Sequence, residues 1–134
     1  MKKGYIPKDQ RKKILLLSDD IRTQSGVGNQ SREIILNTAH YFNWVNLGGA
    51  VNHPDKGKGF DISADINRII NIEDASVKVI ASEGYGNASV VRGLIQQEKP
   101  DAIMHFTDPR YWIWLYQMEN EIRQKIPMIF YTIW

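Results

Sequence analysis

The feature that most constrains this chain is the order of residues 13–42: an apolar run, Lys13-Ile-Leu-Leu-Leu-Ser18, then Asp19-Asp20, then Ser25-Gly-Val-Gly28, then an amphipathic segment reaching Phe42. Residues 14–18 read as a buried strand, because a short apolar run bounded by acidic and turn residues suits a strand covered on both faces. The segment from Asn29 repeats apolar residues at three- and four-residue intervals. It reads as a helix with Val27, Ile34, Ile35, Thr38 and Phe42 along one side. A strand that feeds a helix through a glycine turn aims backbone N–H groups and the positive end of the helix dipole at one point. Phosphate binding by Ser25, Gly26, Val27 and Gly28 is therefore the first functional expectation. The alternative is a tight turn with no ligand, since position 31 is serine and the third glycine of the dinucleotide fingerprint is missing.

The alternation continues along the chain. Residues 44–47 form a short second strand, and Gly48-Gly49 opens a polar loop containing Asn52-His-Pro-Asp-Lys-Gly-Lys-Gly59. Ile62, Ile66, Ile69 and Ile70 predict a short helix within residues 60–76. A strand follows at 77–81, then a second glycine turn, Gly84-Tyr-Gly86, and a helix at 88–98 that Lys99-Pro100 stops. Residues 102–106 are the next strand. Asp108 and Pro109 supply an N-cap and a first-turn proline for a helix over 109–125, with Trp112, Leu115, Met118 or Glu119, Ile122 and Ile126 inward. Pro127 ends it, and 128–134 is a last apolar strand. Interleaved strands and helices without hairpin signals predict an α/β fold: a parallel, Rossmann-like sheet of about five strands with helices on both faces, in three layers. In such folds ligands sit beyond the carboxyl ends of the strands, which here are residues 19–28, 48–53, 83–87 and 107–110.

The length of 134 residues fits one domain, and 43% apolar residues with four Trp, six Tyr and four Phe are enough to build a core. The first 13 residues carry six basic side chains and one acidic, so of the total charge of +2 the remainder holds −3. Residues 1–12 are expected to be a basic, flexible leader and 13–134 a single domain whose mildly acidic body binds no nucleic acid. There is no cysteine, hence no disulfide or thiolate metal site. No apolar run approaches the ~20 residues that span a bilayer, and no signal peptide is visible, so a cytoplasmic protein is expected.

Lys13 to Glu33, with Leu-Leu-Ser-Asp-Asp and Ser-Gly-Val-Gly-Asn-Gln-Ser, resembles the first strand, glycine loop and first helix of nucleotide-sugar glycosyltransferases of the two-Rossmann-domain (B-type) architecture. The string Lys99-Pro-Asp-Ala-Ile-Met-His-Phe-Thr-Asp-Pro-Arg-Tyr-Trp112, with Ile122-Arg-Gln124 and Tyr131-Thr-Ile-Trp134, is similar to glycosyltransferase-like proteins of tailed bacteriophages. The resemblance implies an N-terminal, acceptor-side domain whose glycine loop approaches the donor phosphates, while a second domain holds the nucleotide. Because the last strand reaches Trp134, the chain is expected to be half of a larger enzyme, inactive without a donor domain. A nucleotide-sugar donor and an acceptor of unknown identity are the implied partners, with no cofactor.

Within that frame Asp20 and Asp108 are candidates for deprotonating or orienting an acceptor hydroxyl, and Tyr85, His53 and Arg110 are candidates on the acceptor side. An ordinary helix cap is the alternative for Asp108, and a plain turn for Tyr85. Neighbouring aspartates also suit a phospho-acceptor receiver domain, but no lysine ends the last strand. His105 reads as a hydrogen-bonded core residue, and no pair of histidines has metal-ligand spacing, so no metal site is expected. The other function class is a non-catalytic nucleotide-binding or dimerising module. A homodimer is expected because Trp114 is assigned to a helix face that its own sheet does not cover.

Overall fold

Three consecutive leucines, Leu15, Leu16 and Leu17, are all fully buried. Successive side chains of a strand point to opposite faces, so such a run fits only a central strand with a layer on each side. A computed structural model describes residues 4–19, 21, 26–49, 59–81, 88–106 and 113–130, and places these leucines at the middle of a six-stranded sheet. The strands are β1 (Lys12–Asp19), β2 (Phe42–Gly49), β3 (Gly59–Asp61), β4 (Val77–Ala81), β5 (Ala102–Phe106) and β6 (Met128–Phe130). The helices are α1 (Gly26–Thr38), α2 (Ser63–Ile70), α3 (Ala88–Glu98), α4 (Ile113–Gln117) and α5 (Glu119–Arg123). Strand order is β3-β4-β2-β1-β5-β6.

Register sorts the side chains into two cores. Leu15 lies between Val45 and Ile103, and Ile103 beside Met128, so these residues share one face with Leu17, Leu47 and Ile80. Val91 and Leu94 of α3, Leu115 of α4, and Met118 and Ile122 cover that face. Ile14, Leu16, Trp44, Val77, Val79 and Phe106 belong to the opposite core, which Ile35 of α1 and Ile66 of α2 cover. The expected three layers are present, but the sheet is mixed: β3 runs antiparallel to β4, pairing Phe60 with Val79, and makes a sixth strand. Three residues behind a glycine-rich loop carry no periodicity that the sequence could reveal.

Several element boundaries differ from expectation. The helix α1 starts at Gly26 and stops at Thr38, and its inward residues are Gly28, Ser31 and Ile35, with Ala39 following. Phe42 does not extend the helix; it opens β2 opposite Lys12. The side chains of Asn37 and Thr38 donate hydrogen bonds to the carbonyls of Glu33 and Ile34, a local bonding that favours helix ends, and the Trp44 indole N–H caps the Thr38 hydroxyl at 3.0 Å. The long helix expected before Pro127 is broken at Met118, whose N–H bonds the Leu115 carbonyl three residues back and tightens the turn between α4 and α5. Its first residues, 109–112, lie outside the described residues. Trp114, expected to point away from the sheet, is half-buried against the α3–α5 core; the exposed neighbour is Ile113, at 60%.

Within the expected leader Tyr5 and Arg11 bond to Asp74 of the body, while residues 7–10 are exposed. The Arg11 side chain is fully buried, its guanidinium donating to Asp74 Oδ1 at 2.6 Å, to the Asp74 carbonyl at 2.7 Å and to the Ile6 carbonyl at 2.6 Å. No helix among the described residues is long and apolar enough to cross a membrane.

Candidate functional site

The strand order fixes where a ligand can enter. Successive parallel strands move from β1 to β2 to β4 in one direction, and the connection through α3 then crosses back to place β5 on the far side of β1. Chain direction across the sheet reverses between β1 and β5, the point at which α/β sheets open a crevice at their carboxyl ends. Ser18 and Phe106 lie side by side in the register. Of the residues between these strand ends and the helices α1 and α4, Asp19 and Ile21 are the described ones.

Gly26, Val27 and Gly28 are the first three residues of α1, where backbone N–H groups have no intrahelical acceptor. The first turn of α1 contains no acidic residue, so no side chain there offsets the positive end of its dipole. Gly28 is buried. Asp20, Ser25, His53, Tyr85, Asp108 and Arg110 lie outside the described residues. In sequence, positions 20 and 25 follow β1, position 53 follows β2, position 85 follows β4, and positions 108 and 110 follow β5.

Under this crevice lies a set of buried polar side chains. Asn46, fully buried on β2, donates through Nδ2 to the Leu16 carbonyl at 3.2 Å and to Ser18 Oγ at 3.1 Å. Its Oδ1 accepts the Ile21 N–H at 3.1 Å. Arg32 of α1 donates to the Ile21 carbonyl at 3.2 Å and to Asn29 Oδ1 at 2.7 Å. Ser31 is fully buried, and its hydroxyl has no hydrogen-bond partner among the described residues. Sequence reasoning passed over Asn46, although a polar residue inside the apolar run Trp44-Val-Asn-Leu47 is the kind of residue that is buried only with partners.

His105, one register step from Leu17, is 2% exposed, and burial lowers its pKa to about 4. It is neutral at pH 7 and poorly suited to act as a general base there. Among the described residues no group of three or more histidines or carboxylates is arranged to hold a metal ion. A groove of about 210 Å³ between α3 and α5, floored by Ile95, Ile122 and Ile126 and bridged by an Arg92–Glu121 ion pair at 2.9 Å, contains none of the candidate residues. Compared with known proteins, the chain matches no family model, no curated protein and no solved structure.

Proposed function

We propose that this chain is an α/β domain, Rossmann-like in kind, that serves as the acceptor-side N-terminal domain of a nucleotide-sugar glycosyltransferase and meets the donor diphosphate at the start of α1. The observation that carries the ligand class is the start of α1 at the β1/β5 reversal, with Gly26, Val27 and Gly28 in its first turn and no acid to compensate the dipole. Backbone donors and a helix terminus suit a diphosphate leaving group, and glycine lets the backbone come close. The sugar-transfer role is supported by the resemblance of residues 13–33 and 99–112. In that role Ser25 joins the phosphate donors, Asp20 and Asp108 orient or deprotonate the acceptor hydroxyl, and His53, Tyr85 and Arg110 face the acceptor. The reaction is displacement at an anomeric carbon with departure of the diphosphate. Calorimetry with UDP, GDP and inorganic pyrophosphate is the test, alongside a donor-hydrolysis assay. Saturable diphosphate binding without turnover is expected; efficient sugar transfer by the 134-residue chain contradicts the half-enzyme role, and no binding of any of the three contradicts the ligand class.

A second reading, a module that assembles with a second copy, is supported by β6, which among the described residues pairs with β5 alone and leaves Ile129 50% exposed. With Trp114 half-buried at home, β6 replaces it as the contact. Sedimentation of the wild type and of Ile129→Lys decides this: a dimer lost in the variant supports it, and a monomeric wild type at high micromolar concentration rejects it.

A further inference from the structure

We infer that Asn46 and Arg32 are positioning residues that hold Ile21 between β1 and the proposed phosphate-binding start of α1 by gripping both of its backbone polar groups. The inference rests on the proposed diphosphate site for what the loop binds, but the grip itself is geometric. Ile21 is the only apolar residue between Asp19 and Gly26, and its side chain is 1% exposed among Leu16, Ile35 and Trp44. Asn46 Oδ1 takes its N–H from the strand side and Arg32 takes its carbonyl from the helix side. One residue of the loop is thereby tied to the sheet, to the helix and to the core at once.

Asparagine suits this position because its planar head offers one acceptor and two donors, and all three of its bonds run to β1 or to the loop that leaves it. Aspartate would set a buried charge against the Leu16 carbonyl, and leucine would take from the Ile21 N–H its acceptor, Asn46 Oδ1. Arg32 reaches Ile21 while its other amino group bonds Asn29 Oδ1, so its head is held on the first turns of the helix. Fixing Ile21 on folding removes the entropy cost of ordering that residue from ligand association.

Two readouts on the full chain test the inference: exchange of the Ile21 amide by NMR, and UDP affinity by calorimetry. Arg32→Met, at a half-buried site that tolerates the change, and Asn46→Leu are expected to speed Ile21 exchange at least tenfold relative to Leu15–Leu17. UDP affinity should weaken about tenfold, with partial recovery in Arg32→Lys. Should Asn46→Leu fail to fold, Arg32→Met decides alone. Ile21 exchange that stays locked to that of Leu15–Leu17 in Arg32→Met overturns the grip. A faster Ile21 amide with unchanged UDP affinity overturns its role in binding. If the wild type binds no UDP, the diphosphate reading falls, and the positioning claim then stands or falls on the exchange measurement.

Discussion

The two ends of the sheet handle buried polarity in opposite ways. At the amino end every buried charge is matched by side chains distant in sequence. Arg11 is clamped by Asp74, whose second oxygen accepts the Tyr5 hydroxyl at 2.6 Å, and the Arg11 guanidinium lies 5.4 Å from the Tyr5 ring. Glu98, 5% exposed, is held by Lys78 at 3.1 Å and Lys13 at 3.4 Å. At the carboxyl end the buried polar groups among the described residues are neutral: Ser18, Ser31, Asn46 and a histidine whose burial opposes protonation. Paired charges at one pole tie distant parts of the chain together, whereas the described buried groups beneath the other are uncharged. The contrast is between a pole that carries stability and the pole to which the proposed diphosphate site is assigned.

Breaking the amino end should produce the largest effect. Asp74→Ala leaves the Arg11 guanidinium buried without its carboxylate, and such a loss costs about 3 kcal/mol or more, on the order of 10 °C in melting temperature. Thermal unfolding checks this, and UDP affinity at 20 °C should be unchanged. A parallel loss of affinity would erase the division between the two ends.

Acid should act on the two ends in separate windows. His105 has a folded pKa of about 4 against 6.5 unfolded, so the unfolded chain binds the extra proton between those values and stability falls as pH drops through them. At pH 4.5 the expected loss is roughly 2–3 kcal/mol. At Asp74 burial opposes ionisation, but the bonds from Tyr5, Arg11 and the Lys8 N–H outweigh it; at Glu98 burial is likewise outweighed by Lys78 and Lys13. Both carboxyl groups therefore titrate below the usual range. Their contribution is present above the unfolded carboxylate value and is lost as pH falls through the folded one. Urea melts of the wild type and His105→Leu between pH 7.5 and 3 should show the upper phase vanish in the variant and the lower phase persist. Retention of both phases would reject the assignment to His105.

Smaller changes sharpen the comparison. Glu98→Gln keeps a hydrogen-bond acceptor, and the partly exposed Lys13 and Lys78 can turn to water, so a cost of about 1 kcal/mol is expected in urea melts. Ser31→Ala removes a buried hydroxyl without a partner and adds a better helix former, and a gain of up to about 1 kcal/mol is expected. If stability rises while UDP affinity falls, the hydroxyl is retained for binding; a clear loss of stability would show that it has a partner in solution.

The strands at 77–81 and 102–106 and the helix at 88–98 were legible to the residue, because these parallel strands are short, mostly apolar runs and Pro100 sets a hard boundary. The strand β3 and the break at Met118 were not, since each depends on pairing or packing across the fold. The grip on Ile21 was hidden for the same reason: Asn46 and Arg32 are ordinary residues until strand register and helix placement bring them to one backbone site. The pairs that tie the first 13 residues to the body join positions more than 60 residues apart, such as Arg11 with Asp74, and a charge count reads those lysines and arginines only as a tail.

The most direct test of the account is an amide-shift titration of the isotopically labelled chain with UDP. The two-pole description predicts saturable shifts at Ile21, Gly26, Val27, Gly28 and Ser18, with residues near Arg11, Asp74 and Glu98 unmoved. Shifts concentrated at the amino end, or none at saturating UDP, would contradict it.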